Sequence, residues 1–216
     1  SAGDIEGLSL TQIVWYLCIT EIVSFGANTR IYGKVAEDVK NGSVAYQLLR
    51  PYGYIGYRFA ESMGPAAVNT CLFSVIGCIL GFAVVGPIDG YRLWTLLPGA
   101  LSLALGVTLF FFAQLAIGLS AFFIEDPYGL NLLLSKSVMM LGTFIPVEFL
   151  PRAVQRVVKC LPFSYMSWAP ARLLVGFEPE LFLRATAMQL IYLSAFIALC
   201  ALLMRAGRRA IQANGG

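Results

Sequence analysis

Few side chains in this 216-residue sequence could do covalent chemistry, and none is arranged for it. There is no histidine, so imidazole can serve neither as general base nor as metal ligand. No serine, cysteine or carboxylate pair is set out as a nucleophile with its base. Cys18, Cys71, Cys78, Cys160 and Cys200 lack metal-ligand spacing. Cys71 and Cys78 would lie about 10 Å apart along a helix, too far for a disulfide. A phosphate-cradling loop needs G-x-x-x-x-G-K-[ST], and the nearest approach is Gly33-Lys34. Asn28 stands where its first glycine should be, and Val35 where its hydroxyl should be. The remaining polar chemistry is that of binding and ion pairing. Its densest stretch is Arg30 to Arg58, RIYGKVAEDVKNGSVAYQLLRPYGYIGYR, with five basic residues around the adjacent acids Glu37 and Asp38. A further acid, Glu21, falls inside an apolar run. It reads either as a pathway or coupling residue, or as a hydrogen bond to a neighbouring helix.

Apolar residues make up 58% of the chain and charged residues 12%, with mean hydropathy +0.76. A soluble domain carries about a quarter charged residues, so a chain this oily requires lipid. The net charge of +3 is too small and too dispersed for nucleic acid, and fits the lysine and arginine excess on the cytosolic side of membrane proteins.

The expected fold is all-α, a polytopic transmembrane bundle. Ser1 to Gly7 lacks the basic start and cleavage site of a signal peptide. Apolar runs predict five spans, over 8–29, 65–85, 93–124, 130–146 and 181–204. The first is the most polar, with Gln12, Glu21, Ser24 and Asn28. In the second, Gly77 and Gly81 form a G-x-x-x-G pair that allows another helix close. The third is too long for one straight crossing, and Pro98-Gly99 should break it. In 30–58, Ile31, Val35 and Val39 make an apolar stripe on a short helix. Asn41-Gly42 is a stop-and-turn signal, and Ser43 can cap a second short helix, Val44 to Leu49, ending before Pro51. The plain alternative is an amphipathic loop with no partner. Residues 146–176 hold Pro146, Pro151, Pro162, Phe163 and Pro170. There Pro151 should open an interfacial helix, with Val154, Val157, Val158 and Leu161 on one face and Arg152, Gln155, Arg156 and Lys159 on the other. With 30–58 cytosolic, nine basic residues lie inside and six outside, a bias that favours this orientation.

Two stretches carry a family likeness. EDVKNGSVAYQLLRP is similar to the acidic, I-x-x-G, L-L-R-P segment of ABC-2-type permeases, with Val39 in place of the more usual isoleucine. LGTFIPVEFLPRAVQRVVKCLPFSYMSWAPARLLVG is similar to the small-residue, proline, L-P-F, aromatic and proline sequence before that family's last span. The chain thus resembles the membrane subunits of ATP-driven exporters, in the branch of viologen or multidrug exporters with separate permease and ATPase chains. Members usually have six spans. This chain either begins after the first, with Ser1–Gly7 as an outer loop, or is a divergent five-span form.

The resemblance implies a subunit with no ATPase site and no cofactor of its own, ATP and magnesium sitting on a partner ATPase. It implies an integral protein of the bacterial inner membrane that works with a second permease copy or a related permease. It makes 30–58 the coupling segment, with Glu37, Asp38, Asn41, Gly42, Ser43, Tyr46, Leu49 and Arg50 facing the ATPase. Candidates for the pathway lining are Glu21, Ser24, Phe25, Asn28, Met139, Met140 and Phe144, for each of which plain helix packing is the other reading. Methionine and aromatic walls suit varied apolar ligands. A secondary transporter or channel with Glu21 as its ion site is the rival reading. Inverted repeats would favour it, and none is evident.

Overall fold

The computed structural model describes residues 9–27, 30–48, 53–88, 91–144 and 146–214. Among them every regular element is helical. The first helix, α1 (Leu10–Gly26), opens with a capping box. Gln12 N–H donates to Ser9 Oγ at 3.2 Å and Ser9 N–H to Gln12 Oε1 at 3.0 Å, so Gln12 serves as a helix cap. Two short helices follow, α2 (Ile31–Lys40) and α3 (Ser43–Leu48), and then the 31-residue α4 (Tyr54–Val84). A 3₁₀ turn, Leu93–Thr95, leads into α5 (Leu96–Leu119). Helix α6 (Tyr128–Val138) runs on into a π turn, Met139–Thr143. The short helices α7 (Arg152–Val158), α8 (Pro162–Met166) and α9 (Trp168–Val175) precede the long α10 (Pro179–Asn214).

Among the described residues, four runs are long and apolar enough to cross a membrane: Leu10–Lys40, Tyr54–Val84, Leu93–Phe122 and Pro179–Arg209. The fifth expected span, 130–146, is instead the shorter run of α6 and its π turn. The wider turn frees carbonyls that α1 takes up. Tyr16 OH donates to Gly142 O at 2.7 Å, and Thr20 Oγ1 to Thr143 O at 3.3 Å. Two proline expectations also change. Pro65 lies inside α4 rather than at the start of a span, so the helix begins eleven residues earlier, at Tyr54. Pro98-Gly99 does not break the third run. Pro98 is the third residue of α5, where its missing N–H has no intrahelical partner to lose. Gly99 serves a close approach, because a Cβ there would come within 2.3 Å of Leu174.

The G-x-x-x-G pair has its partner in α1. A Cβ on Gly77 would meet Ile22, and one on Gly81 would meet Trp15, each at 2.8 Å. Trp15 Nε1 donates to Gly86 O at 2.9 Å, tying the α4 end to α1. Helix α5 is the central post, with Leu109, Phe111, Gln114, Leu115 and Leu119 at 1% exposure or less. Buried Gln189 of α10 clamps it, donating to Ser102 O and Tyr165 O at 2.9 Å and accepting from Ser102 Oγ at 3.2 Å. In a bundle with little water, a fully satisfied amide of this kind fixes helix register.

The proline-rich segment is core as well as surface. Tyr165, Met166, Trp168, Ala169, Ala171 and Leu173 are buried against α1, α5 and α10. Pro146 precedes a 3₁₀ turn, Pro151 precedes α7, Pro162 opens α8 and Pro170 is third in α9. Each therefore sits where an N–H is dispensable. Of the expected α7 face, Val158 is buried while Val154 and Val157 stay exposed. Phe163 is half-buried against the core.

Candidate functional site

The paired helices α2 and α3 form the hairpin expected for 30–58. The apolar stripe seats as the spacing requires. Ile31 and Val35 are fully buried against Phe111, Leu115 and Leu119 of α5 and Met204 of α10. Gly118 makes room for them: a Cβ on it would lie 2.7 Å from Val35 Cβ and 2.9 Å from Tyr32 O. Gly42 closes the hairpin at φ +69°, a left-handed backbone that glycine adopts without a Cβ penalty.

Below this seat lies an ion-pair latch that the sequence reading missed. Asp38, expected to be an exposed turn acid beside Glu37, is half-buried. Its Oδ2 accepts from Tyr54 OH at 2.7 Å and from Arg58 Nη2, and its Oδ1 accepts from Ser43 Oγ at 3.1 Å. Ser43 thus donates to Asp38 instead of capping a helix at Val44. Arg58, only 6% exposed, also reaches Glu61 through Nη1 and donates from Nε to Tyr54 OH at 3.4 Å. Lys34 closes the circuit on Glu61 at 3.5 Å. Two acids and two bases make the network neutral, so each buried charge has its counter-charge. Tyr54, Arg58 and Glu61 are spaced i, i+4, i+7 on the first turns of α4, while Lys34 and Asp38 are i, i+4 on α2. The latch therefore joins the hairpin to the α4 helix as one body.

The outward face is bare. Glu37, Lys40, Asn41, Gly42 and Tyr46 are exposed, Tyr46 at 77%. With Asp126, Pro127 and Tyr128 at the start of α6, Glu37, Lys40 and Asn41 line an open groove. Of the other coupling candidates, Leu49 and Arg50 lie outside the described residues.

The pathway candidates separate into two groups. Glu21, Ser24, Phe25 and Met139 line one cavity of about 240 Å³ between α1, α5 and α6, with Ser135 and Thr143. Ser24 Oγ lies 3.2 Å from Thr143 Oγ1, and the Phe25 ring stacks on Phe73 with centroids 5.1 Å apart. Glu21 is exposed, and among the described residues it forms no ion pair or hydrogen bond. Met140 and Phe144, exposed at 64% and 53%, do not line this cavity. Asn28 lies outside the described residues. The packing alternative for Glu21, a hydrogen bond to a neighbouring helix, is not what the described chain shows.

No curated protein and no solved structure matches the chain. A model of a protein family, the ABC-2 family transporter proteins, matches residues 1–215. That match takes in the α2–α3 hairpin, the latch, the α1–α6 cavity and the proline-rich segment. Together with four helices long and apolar enough to span a bilayer, it makes the chain an integral membrane protein belonging to the ABC-2 family of transporters.

Proposed function

We propose that this chain is the permease subunit of an ATP-driven exporter of the bacterial inner membrane, powered by a separate ATPase subunit. The observation that carries the reading is the two-sided hairpin, buried and latched on one side and bare around Tyr46 on the other. A surface that must receive force needs a rigid root and an exposed contact face, and α2–α3 has both. In this reading the ATPase grips Glu37, Asn41, Gly42 and Tyr46, and the latch carries its movement into α4. Leu49 and Arg50 extend that face by resemblance. Substrate, an amphipathic or lipophilic molecule, passes between two permease copies along the Glu21 cavity. The chain itself holds no nucleotide, and ATP and magnesium belong to the ATPase.

Single cysteines at Asn41 and Arg156 test the orientation in a cysteine-free background. With a membrane-impermeant thiol reagent on intact cells, position 156 should label at once and position 41 only after lysis. The reverse would turn the hairpin outward and end its coupling role. In the same membranes, Tyr46→Arg should abolish ATP-driven export while insertion is unchanged, since a central aromatic anchor dominates such contacts.

Glu21 supports the rival reading best, because a lone exposed acid at membrane depth could carry an ion. Glu21→Gln separates the two. An exporter of the proposed kind should keep ATP-dependent transport, with altered preference among cationic and neutral substrates. A proton- or ion-driven transporter should lose transport altogether and show no dependence on ATP.

A further inference from the structure

A second charged cavity lies at the end of the bundle opposite the coupling hairpin. It holds about 240 Å³ between α7, α8–α9 and the first turns of α10. Three cations and two acids line it: Lys159, Arg172, Arg184, Glu148 and Glu178. Arg172 is fully engaged. Its Nε pairs with Glu148 Oε1 at 3.3 Å, its Nη2 with Glu178 Oε1 at 2.8 Å, and its Nη1 donates to Gly176 O at 3.0 Å. Glu148 is engaged too, because its Oε2 accepts from Trp168 Nε1 at 3.2 Å. Among the described residues, Lys159 and Arg184 form no ion pair with any acid.

Lys159 is held in place nonetheless. Its Nζ stands 5.7 Å from the centre of the Trp168 ring, and its backbone carbonyl accepts from Tyr165 OH at 2.9 Å. A half-buried ammonium fixed over an aromatic face, with a second cation on the same lining that forms no ion pair among the described residues, is arranged to receive an anion. The Glu148–Arg172–Glu178 set carries one net negative charge, and with Lys159 and Arg184 the lining is one charge positive.

We infer that this cavity binds the anionic head of an amphiphile, a phosphate or carboxylate held between Lys159 and Arg184. The surroundings favour a lipid headgroup as the source. The flanking apolar surface is exposed where acyl chains would lie, at Val157 on α7 and at Leu183 and Ile191 on α10. The inference does not rest on the direction of transport or on the ATPase partner.

The test uses the purified full chain and measures retention of short-chain phosphatidylglycerol, phosphatidylcholine and inorganic phosphate. Each basic contact to an anionic headgroup is worth about fivefold in affinity, so K159Q/R184Q should bind phosphatidylglycerol about thirtyfold more weakly. R152Q/R156Q removes two exposed charges from the same segment that do not line the cavity, and should bind as the parent does. A second readout is Trp168 fluorescence, corrected with the W168F variant. It should respond to phosphatidylglycerol in the parent and not in K159Q/R184Q. A response to phosphatidylglycerol alone assigns the site to lipid, and an equal response to inorganic phosphate assigns it to free anions. Equal binding of phosphatidylcholine and phosphatidylglycerol, or equal losses in the two double variants, would overturn the proposal.

Discussion

Arg58→Met should destabilise the protein by about 3 kcal/mol, near the lower end of what breaking a buried ion pair costs. Detergent titration of the unfolding midpoint would measure it. The size follows from burial. The side chain of Arg58 is 8% exposed and that of Asp38 14%, so removal of the guanidinium strands a desolvated carboxylate. Arg58→Lys should recover only part of the loss. An ammonium cannot serve Asp38, Glu61 and Tyr54 at once from one planar fork. Asp38→Asn keeps one acceptor oxygen, enough for Tyr54 or Ser43 but not both, and leaves Arg58 its pair with Glu61, so it should cost less, about 1–2 kcal/mol. In the double variant D38N/R58M the losses should fall short of additive, because both changes break one interaction. Lys34→Met tests the exposed edge of the network. Its side chain is 54% exposed and should contribute less than about 0.5 kcal/mol. If the hairpin is the coupling lever, Arg58→Met should also lower export per ATP hydrolysed more than it lowers hydrolysis. An unchanged transport ratio in a destabilised but folded variant would confine the latch to a structural role.

Arg58 also shows where sequence reading reached and where it stopped. Composition and apolar runs gave the membrane class, because hydrocarbon thickness imposes a length that a linear sequence displays. The Ile31–Val35 stripe and Gly42 gave the hairpin, since a helical period and a left-handed turn are local properties. The latch is not local. Tyr54, Arg58 and Glu61 share a face only if 54–61 is helix, and the apolar run that predicts the second span begins only at residue 65. Once α4 is seen to run through Pro65, the i, i+4, i+7 spacing is plain. Asp38 is not the exposed acid its neighbour Glu37 is, because its burial depends on Arg58, twenty residues away. The Glu21 cavity was half legible. The acid Glu21 at membrane depth and the family resemblance point to it, but Met139 joins it and Met140 does not. Adjacent residues on a helix point about 100° apart, so only one of the two can face the cavity, and no propensity in MMLGT announces the π turn that begins there.

The same distinction between local and distant constraint gives opposite results for two glycines, one in the hairpin and one in its seat on α5. Gly118 of α5 and Gly33 of α2 both lie within helices, where glycine costs about 1 kcal/mol relative to alanine. Propensity alone would predict that alanine stabilises at either position. At Gly33 nothing lies within 4 Å of a new Cβ. Gly33→Ala should therefore gain close to the full helical benefit, a rise of about 0.5–1 kcal/mol. At Gly118 the new carbon would sit 2.9 Å from Tyr32 O, a backbone atom that cannot rotate aside, and 2.7 Å from Val35 Cβ. Gly118→Ala should lose about 1–3 kcal/mol through overpacking, and Gly118→Val more, by lifting α2 off its seat. Lifting α2 also opens the faces around Ile31 and Val35, both fully buried in the parent. A cysteine placed at Val35 should react with a thiol reagent far faster in Gly118→Val than in a parent carrying the same cysteine. Equal reactivity, or a Gly118→Ala variant as stable as the parent, would mean that α2 is not seated on α5 at Gly118 and that the latch alone holds the hairpin.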